Sequence, residues 1–229
     1  MSTFRDRTEA GERLATALEG REFERPIVLG LPRGGVPVAV PVAERLGAPL
    51  DVLVSRKLGA PMQPELGFGA ISEAGALWVD EETVQLLGLE KTSIDAIAAR
   101  ERAEMERRVR AFRGGRPLRL EGRTAVLVDD GVATGGTIRA AIRAARNLGA
   151  RRVVVAVPVA AATTAAAIRP EVDAWICLEE PEALWAIGLW YRSFPQLDDD
   201  EVLDILARGR AGAGSPALPP AEAEKPPAP

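Results

Sequence analysis

Apolar positions along the chain follow two rhythms that alternate. Short unbroken runs recur at Ile27-Val28-Leu29, Val52-Leu53-Val54, Val126-Leu127-Val128 and Val153-Val154-Val155. Such β-branched runs suit strands buried on both faces. Between them lie stretches with apolar residues every three or four positions, the mark of a helix with one buried stripe. The pattern predicts helices over 4–18, 36–46, 80–87, 92–112, 138–148, 161–168 and 198–206. In the first, Ala10, Leu14, Ala17 and Leu18 form the stripe; in the long one, Met105, Val109 and Phe112 share a face. Strands are expected over 26–29, 50–55, 68–71, 76–79, 126–128, 152–159 and 172–178. Alternating strands and helices make an α/β fold: a mostly parallel central sheet with helices on both faces and its loops gathered at the strands' carboxyl ends.

Local chemistry refines the boundaries. Asp80 is a good N-cap, with Glu81 and Glu82 in the first turn behind it, and Thr92 or Ser93 can cap the long helix. Residues 60–66 hold Pro61 and Pro64 without a regular pattern and read as a mobile loop. One domain is expected over 1–208, its hood drawn mainly from 177–208; the Gly, Ala and Pro of 209–229 suit a disordered tail.

Composition removes several function classes. The net charge is −4 with a pI near 5.2, so no electrostatic footprint for nucleic acid or an anionic membrane is present. No apolar run approaches a membrane span, the first residues lack a signal-peptide core, and a cytoplasmic address is the expectation. The chain has no histidine, which rules out Ser-His-Asp constellations and imidazole metal sites together. The single cysteine, Cys177, sits among apolar neighbours and reads as packing. A homodimer is the default oligomeric expectation.

The richest stretch is 124–138. A strand runs into Asp129 and Asp130, then the loop Ala133-Thr134-Gly135-Gly136-Thr137, then a helix start. Glycines let backbone N–H groups approach an anion, and the helix dipole favours negative charge at that end. Thr134 and Thr137 add hydroxyl donors. The carboxylates repel a phosphate; they suit sugar hydroxyls, a hydrated metal ion or a proton to be moved. The bland alternative is an ordinary strand-to-helix connection with an acidic edge.

Val126 to Thr137, VLVDDGVATGGT, resembles the signature of type I phosphoribosyltransferases. The resemblance implies 5-phosphoribosyl-1-pyrophosphate as donor, a nitrogen acceptor such as a nucleobase, and Mg²⁺ carried largely on substrate oxygens. It implies that Asp129 and Asp130 meet the ribose hydroxyls and that Ala133, Thr134, Gly135, Gly136 and Thr137 take the 5′-phosphate. Asp129 would orient ribose or, through water, the metal; Asp130 would accept the incoming base's proton. Sequence alone does not separate the two. The Gly34-Gly35 pair before a helix start reads equally as an anion nest or a helix-packing turn; Arg33-Gly34-Gly35 matches the family's first loop, which grips pyrophosphate with backbone amides, often through a non-proline cis peptide. Arg56 and Lys57, expected at a strand end, match a basic pair that meets the leaving group; edge protection is the alternative. Residues 60–66 fall where the family has a closing loop. Trp185, before Ala186-Ile187-Gly188, matches an aromatic that stacks on the base, with core or interface packing the alternative, and Glu179 and Glu180 nearby would favour an acceptor with N–H donors or positive charge. A non-catalytic sensor of the donor, or a phosphatase or kinase using the same loop, stays open.

Overall fold

The computed structural model describes residues 4–61 and 63–212. Its elements run α1 (Arg7–Ala17), β1 (Pro26–Gly30), α2 (Gly35–Leu46), β2 (Leu50–Val52), β3 (Ser55–Ala60), β4 (Gln63–Ser72), β5 (Leu77–Val79), α3 (Glu81–Leu86), α4 (Lys91–Arg113), β6 (Thr124–Val128), α5 (Gly136–Asn147), β7 (Arg152–Val159), α6 (Ala162–Ile168), β8 (Ala174–Glu179) and α7 (Asp199–Gly212). Single 3₁₀ turns occupy Arg169–Glu171 and Ile187–Trp190.

The apolar runs build the main sheet. Five strands lie in the order β2-β1-β6-β7-β8, and every pairing is parallel. All five residues of β6 are buried, as its unbroken run requires. Two apolar layers cover the sheet. Val28, Val126, Val128 and Val154 face the helices α1, α2 and α7; Leu29, Leu127, Val153 and Val155 face α5 and α6. Alternate residues of each strand thus feed opposite layers, which fixes its register.

Besides shifts of one to three residues at other element ends, such as α1 starting at Arg7 rather than Phe4, four boundaries differ from the sequence expectation. The run at 50–55 is split between two sheets. It leaves the main sheet after Val52, and the Glu73 carboxylate accepts the Val54 N–H at 2.9 Å before Ser55 opens β3. Residues 60–66 are not a loop: Ala60 ends β3 and Gln63 begins β4, while Met62 lies outside the described residues. Pro64 fits there because β5 pairs only with Gly69–Ile71, so this half of β4 is an edge. The long helix takes Glu90 as its N-cap, ahead of Thr92 and Ser93. Helix α7 continues through Gly212, past the boundary expected at 209; the remainder of the expected tail lies outside the described residues.

The second sheet, β3-β4-β5, is antiparallel and stands over α4 and α5. Its root is a buried ion pair between Glu73 and Arg113, beside the Ser55–Ser72 hydroxyl contact at 2.9 Å.

Candidate active site

Strand order places the site. β2 lies on one side of β1 and the later strands on the other, so the connections after β1 and β6 leave in opposite directions and open a crevice at the sheet's carboxyl edge. Gly30 pairs with Val128, and the Leu31 N–H donates to the Val128 carbonyl at 2.8 Å. The loop of residues 31–34 and the acidic pair therefore emerge side by side. Two glycines make this approach sterically allowed. Any side chain at Gly35 would collide with Val128 and the Asp129 backbone, and any at Gly34 would overlap the Asp130 carboxylate. The Pro32–Arg33 peptide is cis.

After the pair the chain turns into the phosphate-type loop. Gly135 has φ +81° and N-caps α5, a conformation open to glycine at no steric cost. Its bare Cα also admits α6: a Cβ there would come within 2.8 Å of Thr164 and Ile168. Thr164 Oγ1 donates to the Ala133 carbonyl at 2.7 Å, engaging that acceptor from outside the loop. The first N–H groups of α5 have no carbonyl partner within their own helix and are free to meet an anion. Asp129, Asp130, Ala133, Thr134, Gly135, Gly136 and Thr137 come together here around a pocket of about 180 Å³, which Ile187 closes from the hood.

The acidic pair is tuned by burial. Asp129 is held well above the ordinary carboxylate range, first by desolvation and then by the charge of Asp130; one of its oxygens accepts the Asp130 N–H at 2.9 Å. Asp130 is raised by burial too, with Arg7 pulling it back down. Arg7 Nε donates to Asp130 Oδ2 at 2.8 Å, and Nη1 donates to the Pro195 carbonyl at 2.7 Å. The Arg7 guanidinium lies 3.7 Å from the centre of the Phe194 ring. Tyr191 Oη donates to the Asp130 carbonyl at 2.6 Å.

The remaining sequence candidates lie apart from that pocket. Arg56 and Lys57 are interior residues of β3 rather than a strand end, and successive strand residues face opposite ways. Arg56 donates through Nε and Nη2 to Glu101 of α4, at 3.0 and 2.7 Å, while the Lys57 stem crosses Gly67. Both line a larger cavity of about 470 Å³ with Arg100 and Pro61. The acidic pair and the α5 N-terminus line the smaller cavity instead. Trp185 is 89% exposed on the hood and does not line the phosphate-loop pocket. Glu180 accepts from Arg169 and from Trp175 Nε1, and Glu179 lies 3.7 Å from Arg13, so the two carboxylates expected to select an acceptor are already engaged.

Sequence reasoning missed Arg7 and the role of Trp78, and within the aromatic-rich stretch 182–194 it picked out Trp185 rather than Ile187, Tyr191 or Phe194. Arg7 carried a faint signal, since a cation in the first turn of a helix opposes the macrodipole. Trp78 seats its ring against Gly136, where a Cβ would stand 3.1 Å from it, and Arg139 lies 5.3 Å over the same ring.

A parallel α/β sheet with an acidic pair, a glycine-rich loop at a helix start and a hood at its switch point places the chain among doubly wound α/β proteins with their site at the sheet's carboxyl edge. Residues 6–191 match the family model described as a phosphoribosyl transferase domain, and the chain belongs to that family. Proteins from Mycobacterium tuberculosis strains H37Rv and CDC 1551, provisionally named as phosphoribosyl transferases, are each 44% identical over 209 residues. The match covers 91% of this chain and 47% of each relative, so the chain spans about half the length of these curated relatives. A crystal structure of a Thermus thermophilus protein is 42% identical with a TM-score of 0.75, over 91% of this chain and 99% of that one.

Proposed function

We propose that the chain transfers a 5-phosphoribosyl group from 5-phosphoribosyl-1-pyrophosphate to a nitrogen acceptor, a nucleobase, and releases pyrophosphate. The observation that carries this reading is the meeting of the glycine loop after β1 with the acidic pair and phosphate-type loop after β6. The loop of residues 133–137 and the start of α5 would hold the 5′-phosphate through backbone N–H groups and the Thr134 and Thr137 hydroxyls. The ribose hydroxyls would donate to Asp129 and Asp130. The C1–oxygen bond breaks with its electron pair leaving on pyrophosphate, beside the backbone of Arg33, Gly34 and Gly35. The acceptor nitrogen's lone pair forms the new C1–N bond, and its proton passes to the acidic pair. Asp130 offers Oδ1 for that proton, since Arg7 holds its Oδ2.

Magnesium fits as a substrate-borne ion. Among the described residues no group of three or more acidic, cysteine or histidine side chains could cage a metal, whereas the paired carboxylates can orient water on an ion carried by the donor. When bound, the ion would neutralise charge on the pyrophosphate; Asp129 would hold it through water. No described helix is long and apolar enough to cross a membrane.

The test is pyrophosphate release from the donor and Mg²⁺ across a panel of purine and pyrimidine bases. Base-dependent release is the expected result. Donor binding without release for any base would make the chain a sensor of the donor instead.

A further inference from the structure

Two ion pairs in the described residues join side chains that are both nearly sequestered. One is Glu73–Arg113 beneath the hairpin; the other is Arg7–Asp130, at 10% and 13% exposure. The second stands out because it ties a residue from the chain's first helix to the centre of the site. Around it, the segment before α1 is zipped to the hood. Phe4 N–H donates to the Trp190 carbonyl at 2.9 Å, Arg192 N–H to the Phe4 carbonyl at 2.9 Å, and Ser193 N–H to the Arg5 carbonyl at 2.9 Å. The Phe4 and Tyr191 rings sit 5.3 Å apart.

Among the described residues Arg7 is the side chain from outside the hood that binds the hood and the Asp130 carboxylate at once, beside the hood's own Tyr191 on the Asp130 carbonyl. It meets Phe194 and Pro195 on one side and Asp130 on the other. Behind Asp130 stands Gly34, whose bare Cα is the opposite wall. An Arg fork can serve both contacts because its donors are rigidly spaced; a lysine point charge cannot. We infer that Arg7 is a positioning residue that latches the hood over the site, pressing the Asp130 carboxylate against Gly34. This inference rests on Asp130 belonging to the donor site.

A double-mutant cycle read by amide hydrogen exchange tests it without needing turnover. Arg7→Met and Asp130→Asn should each speed exchange at the Phe4, Arg192 and Ser193 amides about tenfold or more, while the amides of β6 keep their protection. The double variant should be no faster than either single one within about twofold, because both remove the same contact. Arg7→Lys, which keeps the charge and the stem, should fall between wild type and Arg7→Met, and it serves in the cycle should Arg7→Met not fold. In turnover, Arg7→Met should lower kcat with little change in KM for the donor. Independent, additive effects on the three amides, or unchanged exchange in both single variants, would overturn the latch. A wild-type protein that released no pyrophosphate would defeat the proposed reaction and leave the cycle readable.

Discussion

The phosphate-type loop and the β3–β4 hairpin were both expected to hold ligand, and the fold treats them differently. The atoms proposed to hold phosphate in the loop are mostly its own backbone. Its strand, glycines and helix start follow one another in sequence, so the local chain already contains the geometry. The hairpin's candidates, Arg56 and Lys57, are side chains whose surroundings come from elsewhere. Arg56 is held by Glu101, which lies 45 residues away on α4. A site made of backbone can be read along the chain, whereas one made of long side chains is decided by what packs beside them.

The sharpest test of that contrast is in the acidic pair. Asp130→Asn should slow pyrophosphate release by about 10²–10⁴-fold with ribose 5-phosphate binding largely kept, as expected for loss of a general base. Unchanged turnover would move the proton elsewhere. Next comes Gly34→Ala, which forces a methyl group into the Asp130 carboxylate. Overpacking of this kind costs about 1–3 kcal/mol, to be measured by denaturant unfolding, and donor affinity should fall with it. Retained stability and donor binding would mean that the two loops are less tightly joined than their backbones indicate.

On the hairpin the effects should be smaller. Arg56→Ala loses a partly exposed pair worth about 0.2–1 kcal/mol and should weaken pyrophosphate binding by less than about threefold, because its fork is already occupied. Glu101→Gln should tighten pyrophosphate binding by releasing that fork. If Arg56→Ala abolished pyrophosphate binding, the hairpin would rank with the loop. Smallest of all, Trp185→Ala should change stability by less than about 0.5 kcal/mol, since the side chain is exposed. Base-dependent quenching of Trp185 fluorescence would assign it to the acceptor. Trp78 is a poor background control for that titration, because its ring rests on Gly136.

Most of the fold was legible because the apolar runs at 26–29, 126–128 and 152–159 each have one structural solution, a doubly buried strand. The run at 50–55 misled because Glu73, distant in sequence, takes up its backbone and ends the strand early. Prolines at 61 and 64 suggested a loop; Pro61 falls in the turn after β3, and Pro64 lies where β4 is locally an edge. In the site, the residues of 129–137 were legible for the reason given above. Arg7 was not, since its partners Asp130 and Pro195 lie 123 and 188 residues along the chain. Nor was Trp78, which is brought to Gly136 only when the antiparallel sheet docks.

The bridge between Phe4 and Tyr191 also bears on how the protein is made. Its two halves are synthesised at widely separated times, and contacts so distant in sequence close late because the loop entropy must be met before they are rewarded. β1 and β6 can pair, and the phosphate-type loop can form, while the hood has yet to leave the ribosome. A nascent chain should therefore have a folded glycine-rich loop and an uncovered acidic pair for a time. The apolar surface that the hood covers would stay open until the hood docks, and it is where a chaperone would act.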